Sequence, residues 1–204
     1  MISDQQLKQL IEAAIFAAEQ PVTVEQLLGG VLANFSLNRP RVRQVLEALQ
    51  HDYQDRGIEL VEVATGYRFQ TRPELGPALV HMWPERAPRY SAALLETLAL
   101  IAWRQPVTRG EIEAVRGVSV STQIMKTLQE RGWVKVVGHK EVPGRPALYA
   151  TTKAFLDYFS LTSISDLPAL TQERPALVEL DAVNEQADLL TDTRERDAEE
   201  ENEA

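Results

Sequence analysis

The chain has 204 residues, 44% of them hydrophobic, with 21 Lys and Arg against 30 Asp and Glu, a net charge of −9 and no cysteine. That length suits one large or two small domains, and the lack of cysteine excludes disulfides, thiolate metal sites and cysteine nucleophiles. The charge is lopsided: residues 171–204 hold twelve acidic and three basic side chains, so residues 1–170 are balanced and carry no general positive field for nucleic-acid phosphates.

The opening stretch MISDQQLKQLIEAAIF is charged throughout and has no basic run before an apolar core, so no signal peptide is expected. Leu7, Leu10, Ile11, Ala14, Ile15 and Ala18 recur at helical spacing and predict a helix over Gln5–Glu19. Pro21 breaks it, and Thr23 is placed to cap a short helix in VEQLLGGVL. Residues Asn34–Arg39 read as a loop. Pro40 suits the first turn of a third helix to about Arg56, with Val42, Val45, Leu46, Leu49 and Tyr53 on its apolar face and Gly57 at its end.

Next, IELVEVA and YRFQT flank Thr65-Gly66 as a β-hairpin. Alternation sets Ile58, Leu60 and Glu62 on one face and Glu59, Val61 and Val63 on the other. A short helix is expected from about Pro73 to Trp83, and PERAPRY (Pro84–Tyr90) reads as an interdomain linker.

Ser91 is placed to cap a helix to about Gln105, with Leu94, Leu95, Leu98, Ile101 and Ala102 facing inward. Its apolar run, AALLETLALIAW, is too short to span a membrane and contains Glu96. A helix over about Val120–Arg131 precedes a second hairpin. Within GRPALYATTKAFLDYF, Pro146 has no N–H for a ladder, so Ala147–Ala150 is expected as a short edge strand. Thr151 or Thr152 then caps the last helix.

Three strings recur in order. QPVT appears at Gln20–Thr23 and Gln105–Thr108; QDRGIELVE from Gln54 is echoed by QERGWVKVV from Gln129; FQTR from Phe69 is echoed by YATT from Tyr149. An ordered echo of this kind points to tandem duplication. Each half reads as helices followed by a two-stranded hairpin, the winged-helix variant of helix-turn-helix. The expected class is therefore mainly α with small β-hairpins (α+β), built as two tandem winged-helix domains. The expected boundaries are 1–83, a linker at 84–90, a second domain at 91–168 and an acidic disordered tail at 169–204. Within the tail, spaced leucines and valines in Ala176–Leu190 would allow a helix on a partner, while its composition alone suits a solubilising role.

The strings RQPVTRGEIEAVRGV (Arg104–Val118), GRPALYATTKAFLDYFSL (Gly144–Leu161) and SDLPAL (Ser165–Leu170) resemble the segregation and condensation protein B family, as do IFAAEQPVTVEQL and ELVEVATGYRFQTRPEL in the first half. That resemblance spans roughly residues 7–170. It implies a non-enzymatic subunit of the bacterial SMC condensin-like complex, located in the cytoplasm with the nucleoid. It implies a homodimer formed largely through the first domain, with the kleisin, segregation and condensation protein A (ScpA), held mainly by the second. The kleisin in turn bridges the heads of the SMC ATPase in chromosome condensation and partition. The loop Gly29–Val42 is longer than the turn that family pattern implies.

For partner binding, an edge strand at Ala147–Ala150 could accept a segment by strand addition, with Arg145, Tyr149 and Phe155 as candidate contacts. The stripe Leu7, Ile11, Ile15 is the candidate dimer interface, although such a stripe also suits a core. The alternative function is a tandem winged-helix DNA-binding transcription regulator, with Lys126, Lys140 and Arg145 meeting DNA. The missing basic stripe instead suggests that DNA is contacted at most indirectly or weakly. No catalytic, cofactor or metal site is expected, nor a small-molecule ligand or membrane contact. His51, His81 and His139 lack metal-ligand spacing, and no phosphate loop is present.

Overall fold

The computed structural model describes residues 2–82 and 90–168. Most of the linker expected at 84–90 and the whole tail expected at 169–204 lie outside the described residues. The fold is mixed α+β with two small antiparallel sheets. The chain through Leu167 belongs to one compact unit.

Helix α1 (Asp4–Ala17), α2 (Val24–Gly29) and α3 (Arg39–Asp52) precede the strands β1 (Ile58–Val63) and β2 (Gly66–Thr71). A short α4 (Gly76–Leu79) follows, flanked by 3-10 turns. Helix starts are chemically specified. Ser3 with Gln6 and Thr23 with Gln26 form reciprocal capping boxes, and the Asn38 side chain accepts from Arg41 N–H, each such cap stabilising its helix by about 1 kcal/mol. Leu7, Ile11 and Ile15 of α1 meet Val42, Val45, Leu46 and Leu49 of α3 in the first buried cluster, which Leu60 and Tyr67 close from the hairpin. The long loop after α2 is not slack: Leu32 is fully buried in that cluster and its N–H bonds Leu27 O at 3.0 Å.

The second lobe runs α5 (Ala92–Arg104), β3 (Val107–Thr108), α6 (Arg109–Arg116), α7 (Thr122–Glu130), β4 (Val134–His139), β5 (Ala147–Thr151) and α8 (Lys153–Tyr158). Ser91, Thr108, Ser121 and Thr152 cap its helices. A second cluster gathers Leu98, Ile101, Ile112, Val120, Met125, Leu128, Trp133 and Phe155.

The duplicated QPVT string has a structural use in both lobes. Val22 forms a bridge with Tyr67 on the second strand of the first hairpin, and Val107 pairs with Tyr149 on the second strand of the other. The threonine of each string then caps the next helix through a capping box. One tetrapeptide thus supplies a strand pair and a helix start.

Three expectations need correcting. Leu95 is 43% exposed, and the inward place belongs to Thr97, whose hydroxyl donates to Ala93 O at 2.7 Å and accepts from Arg116 Nη1 at 3.2 Å. A polar group so paired can occupy a core position. The strand β5 is central, in the order β3-β5-β4; Pro146 stands just before it, where its carbonyl accepts from Lys140 N–H at 2.9 Å while the Lys140 carbonyl accepts instead from Val142 N–H at 2.9 Å. Helix α3 ends at Asp52 rather than about Arg56. Beyond it, Arg72 donates to the carbonyls of Tyr53 at 3.3 Å, of Arg56 at 2.9 Å and of Gln54, giving chain-end acceptors a distant cation. The alternation expected for β1 stands, with one residue buried on each of its two sides, Leu60 and Val63.

Candidate partner-binding surfaces

The first three candidates are spread over the β4–β5 connection, β5 and α8 and are presented differently. Arg145 is exposed in the connecting turn with φ +39° and donates to Glu141 at 3.1 Å. Tyr149 is half-buried against the second core and Phe155 is buried within it. The Phe155 ring lies 4.9 Å from that of Phe159. Residues Leu148 and Tyr149 pair with β3 on one side and β4 on the other, so strand addition at β5 has no free edge there. The edges of this sheet belong to the two-residue β3 and to β4.

Leu7, Ile11 and Ile15 are buried in their own lobe and offer no surface to a second copy. The outward side of α1 carries a different surface. There Ile2, Leu10, Ala13 and Phe35, with Gln6 and Gln9, line an open hollow of about 600 Å³ without a charged group.

The three candidate DNA contacts are all engaged with carboxylates. Lys126 lies 3.5 Å from Glu130, Lys140 lies 2.6 Å from Glu111, and Arg145 pairs with Glu141. The Lys140 ammonium and the Thr108 cap hold the Glu111 carboxyl down at about 2, well below its ordinary 4.5. Exposed ion pairs of this kind contribute little to stability, yet they set each cation beside a negative group rather than leaving a positive stripe for phosphate. His51, His81 and His139 are exposed on separate elements. Among the described residues no group of His, Cys, Asp and Glu is placed to hold a metal, and no helix is long and apolar enough to cross a membrane.

A further surface was not singled out by sequence. A cleft of about 560 Å³ lies between the lobes, with Phe16, Pro21 and Phe69 on one wall and Arg131, Trp133 and Tyr158 on the other. Phe16 is 73% exposed and Tyr158 52% exposed. Trp133 anchors the second wall: its ring lies 4.6 Å from Tyr158, 5.3 Å from Tyr90 and 5.8 Å from Phe159. Arg131 stacks over Tyr90 at 5.2 Å, a cation–π contact that holds its charge at the cleft. Rigid aromatics half in water are the residue type that anchors protein partners. The available signal was Phe16 itself, an aromatic that falls off the apolar stripe of its helix.

The family model described as segregation and condensation complex subunit ScpB matches residues 9–170. The segregation and condensation protein B homolog of Coxiella burnetii is 52% identical over 80% of this chain and 78% of its own. Segregation and condensation protein B of Syntrophotalea carbinolica is 44% identical over 82% and 83%. Among solved structures, ScpB from Mycobacterium tuberculosis is 33% identical over 79% of this chain and 99% of its own, with a TM-score of 0.37. A dimer of the ScpB N-terminal domain complexed with ScpA peptide is 26% identical over 43% of this chain and all of its own, at 0.36. At those TM-scores the superpositions carry no argument, and family membership rests on the sequence relatives. With the match running from α1 through the last described turn, the chain belongs to the family of segregation and condensation complex subunit ScpB.

Proposed function

We propose that this protein acts as a homodimeric, non-enzymatic adaptor that holds the kleisin ScpA within the SMC complex, in the cytoplasm with the nucleoid, and so takes part in chromosome condensation and partition. The observation that carries this is the family match over residues 9–170. Each lobe is taken as one winged helix, residues 1–83 for dimerisation and 91–168 for the kleisin, joined by a linker at 84–90 and followed by an acidic disordered tail. Supporting that division are the two separate buried clusters and the repeated Val–Tyr strand pairing.

The dimer contact is assigned to the outward side of α1, where Leu10, Ala13, Ile2 and Phe35 form an uncharged apolar hollow. The kleisin contact is assigned mainly to the second lobe, anchored by the exposed Tyr158, with Phe16 of the first lobe across the same cleft. A nuclease-treated pull-down of the tagged chain from its own cells tests the adaptor role. ScpA and SMC are expected in salt-resistant complexes, with ScpA depleted by Tyr158→Ala. Recovery of selected duplex fragments from untreated lysate, with neither protein, would overturn it in favour of a DNA-binding regulator.

A further inference from the structure

Helix α8 ends in a way that local chemistry alone does not favour. Phe159 is its last cap residue, and Ser160 follows with φ +55°. The N–H of Leu161 reaches Leu156 O at 2.8 Å and that of Ser160 reaches Asp157 O at 3.2 Å. This is the paired bonding of a Schellman motif, whose left-handed position is normally glycine because a side chain is strained there. Here the strained position carries a serine, and its hydroxyl has a use outside the helix. Ser160 Oγ accepts from Arg68 Nη2 at 3.2 Å and donates to Gln70 Oε1 at 3.2 Å, both residues of β2 in the other lobe. Gln70 Nε2 donates onward to Glu59 of β1 at 2.9 Å.

One turn earlier, Asp157 reaches the same hairpin. Its Oδ1 accepts from Thr65 N–H at 3.0 Å and its Oδ2 from the Thr65 hydroxyl at 2.7 Å. Beside them, Ala64 N–H donates to Leu161 O at 2.9 Å. The connection between β1 and β2 thus places its backbone donors at Ala64 and Thr65 on acceptors at the end of α8. A local rule broken where a tertiary bond compensates marks a site with a specific task.

We infer that Asp157 and Ser160 form a polar latch that fixes the first hairpin to the end of α8 and so sets the relative placement of the two lobes. The latch consists of a few directional bonds, those of Asp157 to Thr65 part-buried and those of Ser160 exposed. Such contacts open at lower free energy than the cores they join, so lobe placement can change while each lobe stays folded. The cleft walled by Phe16 and Tyr158 then widens or narrows with the state of this contact.

Amide hydrogen exchange of the full chain, read at Ala64 and Thr65, tests the latch without any partner and so stands apart from kleisin binding. Both amides should be protected in the wild-type protein. Asp157→Ala and Ser160→Gly should each speed their exchange by about tenfold or more, with amides of α1 and α5 unchanged. Ser160→Gly is the sharper variant, because glycine relieves backbone strain at the helix end and on local grounds should only steady it. The latch is refuted if Ala64 and Thr65 exchange as freely as an open turn in the wild-type chain, or if Ser160→Gly leaves them protected.

Discussion

Gly66→Ala should be among the most damaging single-methyl additions in the first lobe. Gly66 opens β2 with φ +142°, a conformation that side chains rarely adopt. A Cβ built there would lie 2.5 Å from both the carbonyl carbon and oxygen of Val22 and 2.9 Å from Thr23 N. These are backbone atoms, so no side chain can turn aside. The segment that must retreat is the one bridged to Tyr67, through Val22 N–H to Tyr67 O at 2.8 Å and Tyr67 N–H to Val22 O at 2.9 Å. It also carries Thr23, the cap of α2. Backbone strain of about 1–3 kcal/mol and two weakened hydrogen bonds of about 1 kcal/mol each together give a loss of about 3–5 kcal/mol. Gly29 supplies a control in the same lobe. It is the last residue of α2, has no positive φ and meets nothing within 4 Å of an added Cβ, so Gly29→Ala should cost nothing and stabilise by at most about 0.5 kcal/mol through helix propensity. Urea unfolding followed by circular dichroism reads both. If Gly66→Ala costs no more than about 1 kcal/mol, or the two variants shift the midpoint alike, the close-approach reasoning is wrong.

The two sides of α1 should also separate cleanly. Ile11→Ala opens the first core and should cost about 2–5 kcal/mol, whereas Phe16→Ala should change stability by no more than about 0.5 kcal/mol, both by urea unfolding. Carboxyl NMR should show Glu111 titrating near 2 rather than 4.5. Because the folded value is the lower one, its contribution to stability is fully present above pH 4.5 and fades as pH falls toward 2. Lys140→Met should raise that titration point without restoring 4.5, since the hydrogen bonds from Thr108 remain. For DNA, contact by Lys126, Lys140 and Arg145 together would give a log–log salt slope of about −2.7. Duplex titrations at several salt concentrations should give a shallower slope that alanine at all three positions leaves unaltered.

Much of the architecture was legible from local chemistry. The stripe of α1, the caps at Thr23 and Ser91, the hairpin around Thr65-Gly66 and the repeated QPVT string all follow from short-range rules, because helix caps and strand alternation depend on neighbours within a few residues. Residues at the ends of elements were less legible, since their partners come from afar: Arg72 closes off the end of α3 across the sequence, and Thr97 displaces Leu95 inward because Arg116 satisfies it. The candidate sites were harder still. Periodicity identifies Leu7, Ile11 and Ile15 as one apolar face, but it does not say whether a face meets its own chain or another; α3 settled that by covering them. Likewise an open strand edge at Ala147–Ala150 was a fair inference from Pro146, until the two residues of β3 closed it.

The sequence by itself therefore determined most of the elements, the repeated strings and the family, because these are written in local pattern and in whole strings shared with relatives. Only the tertiary structure decided which apolar residues are core, that Lys140 is paired with Glu111, and that the two lobes meet through Thr65, Asp157 and Ser160. The core depends on helices packing across the sequence and the lobe contact on side chains 90 to 92 positions apart arriving at one place, and no short-range rule carries that information.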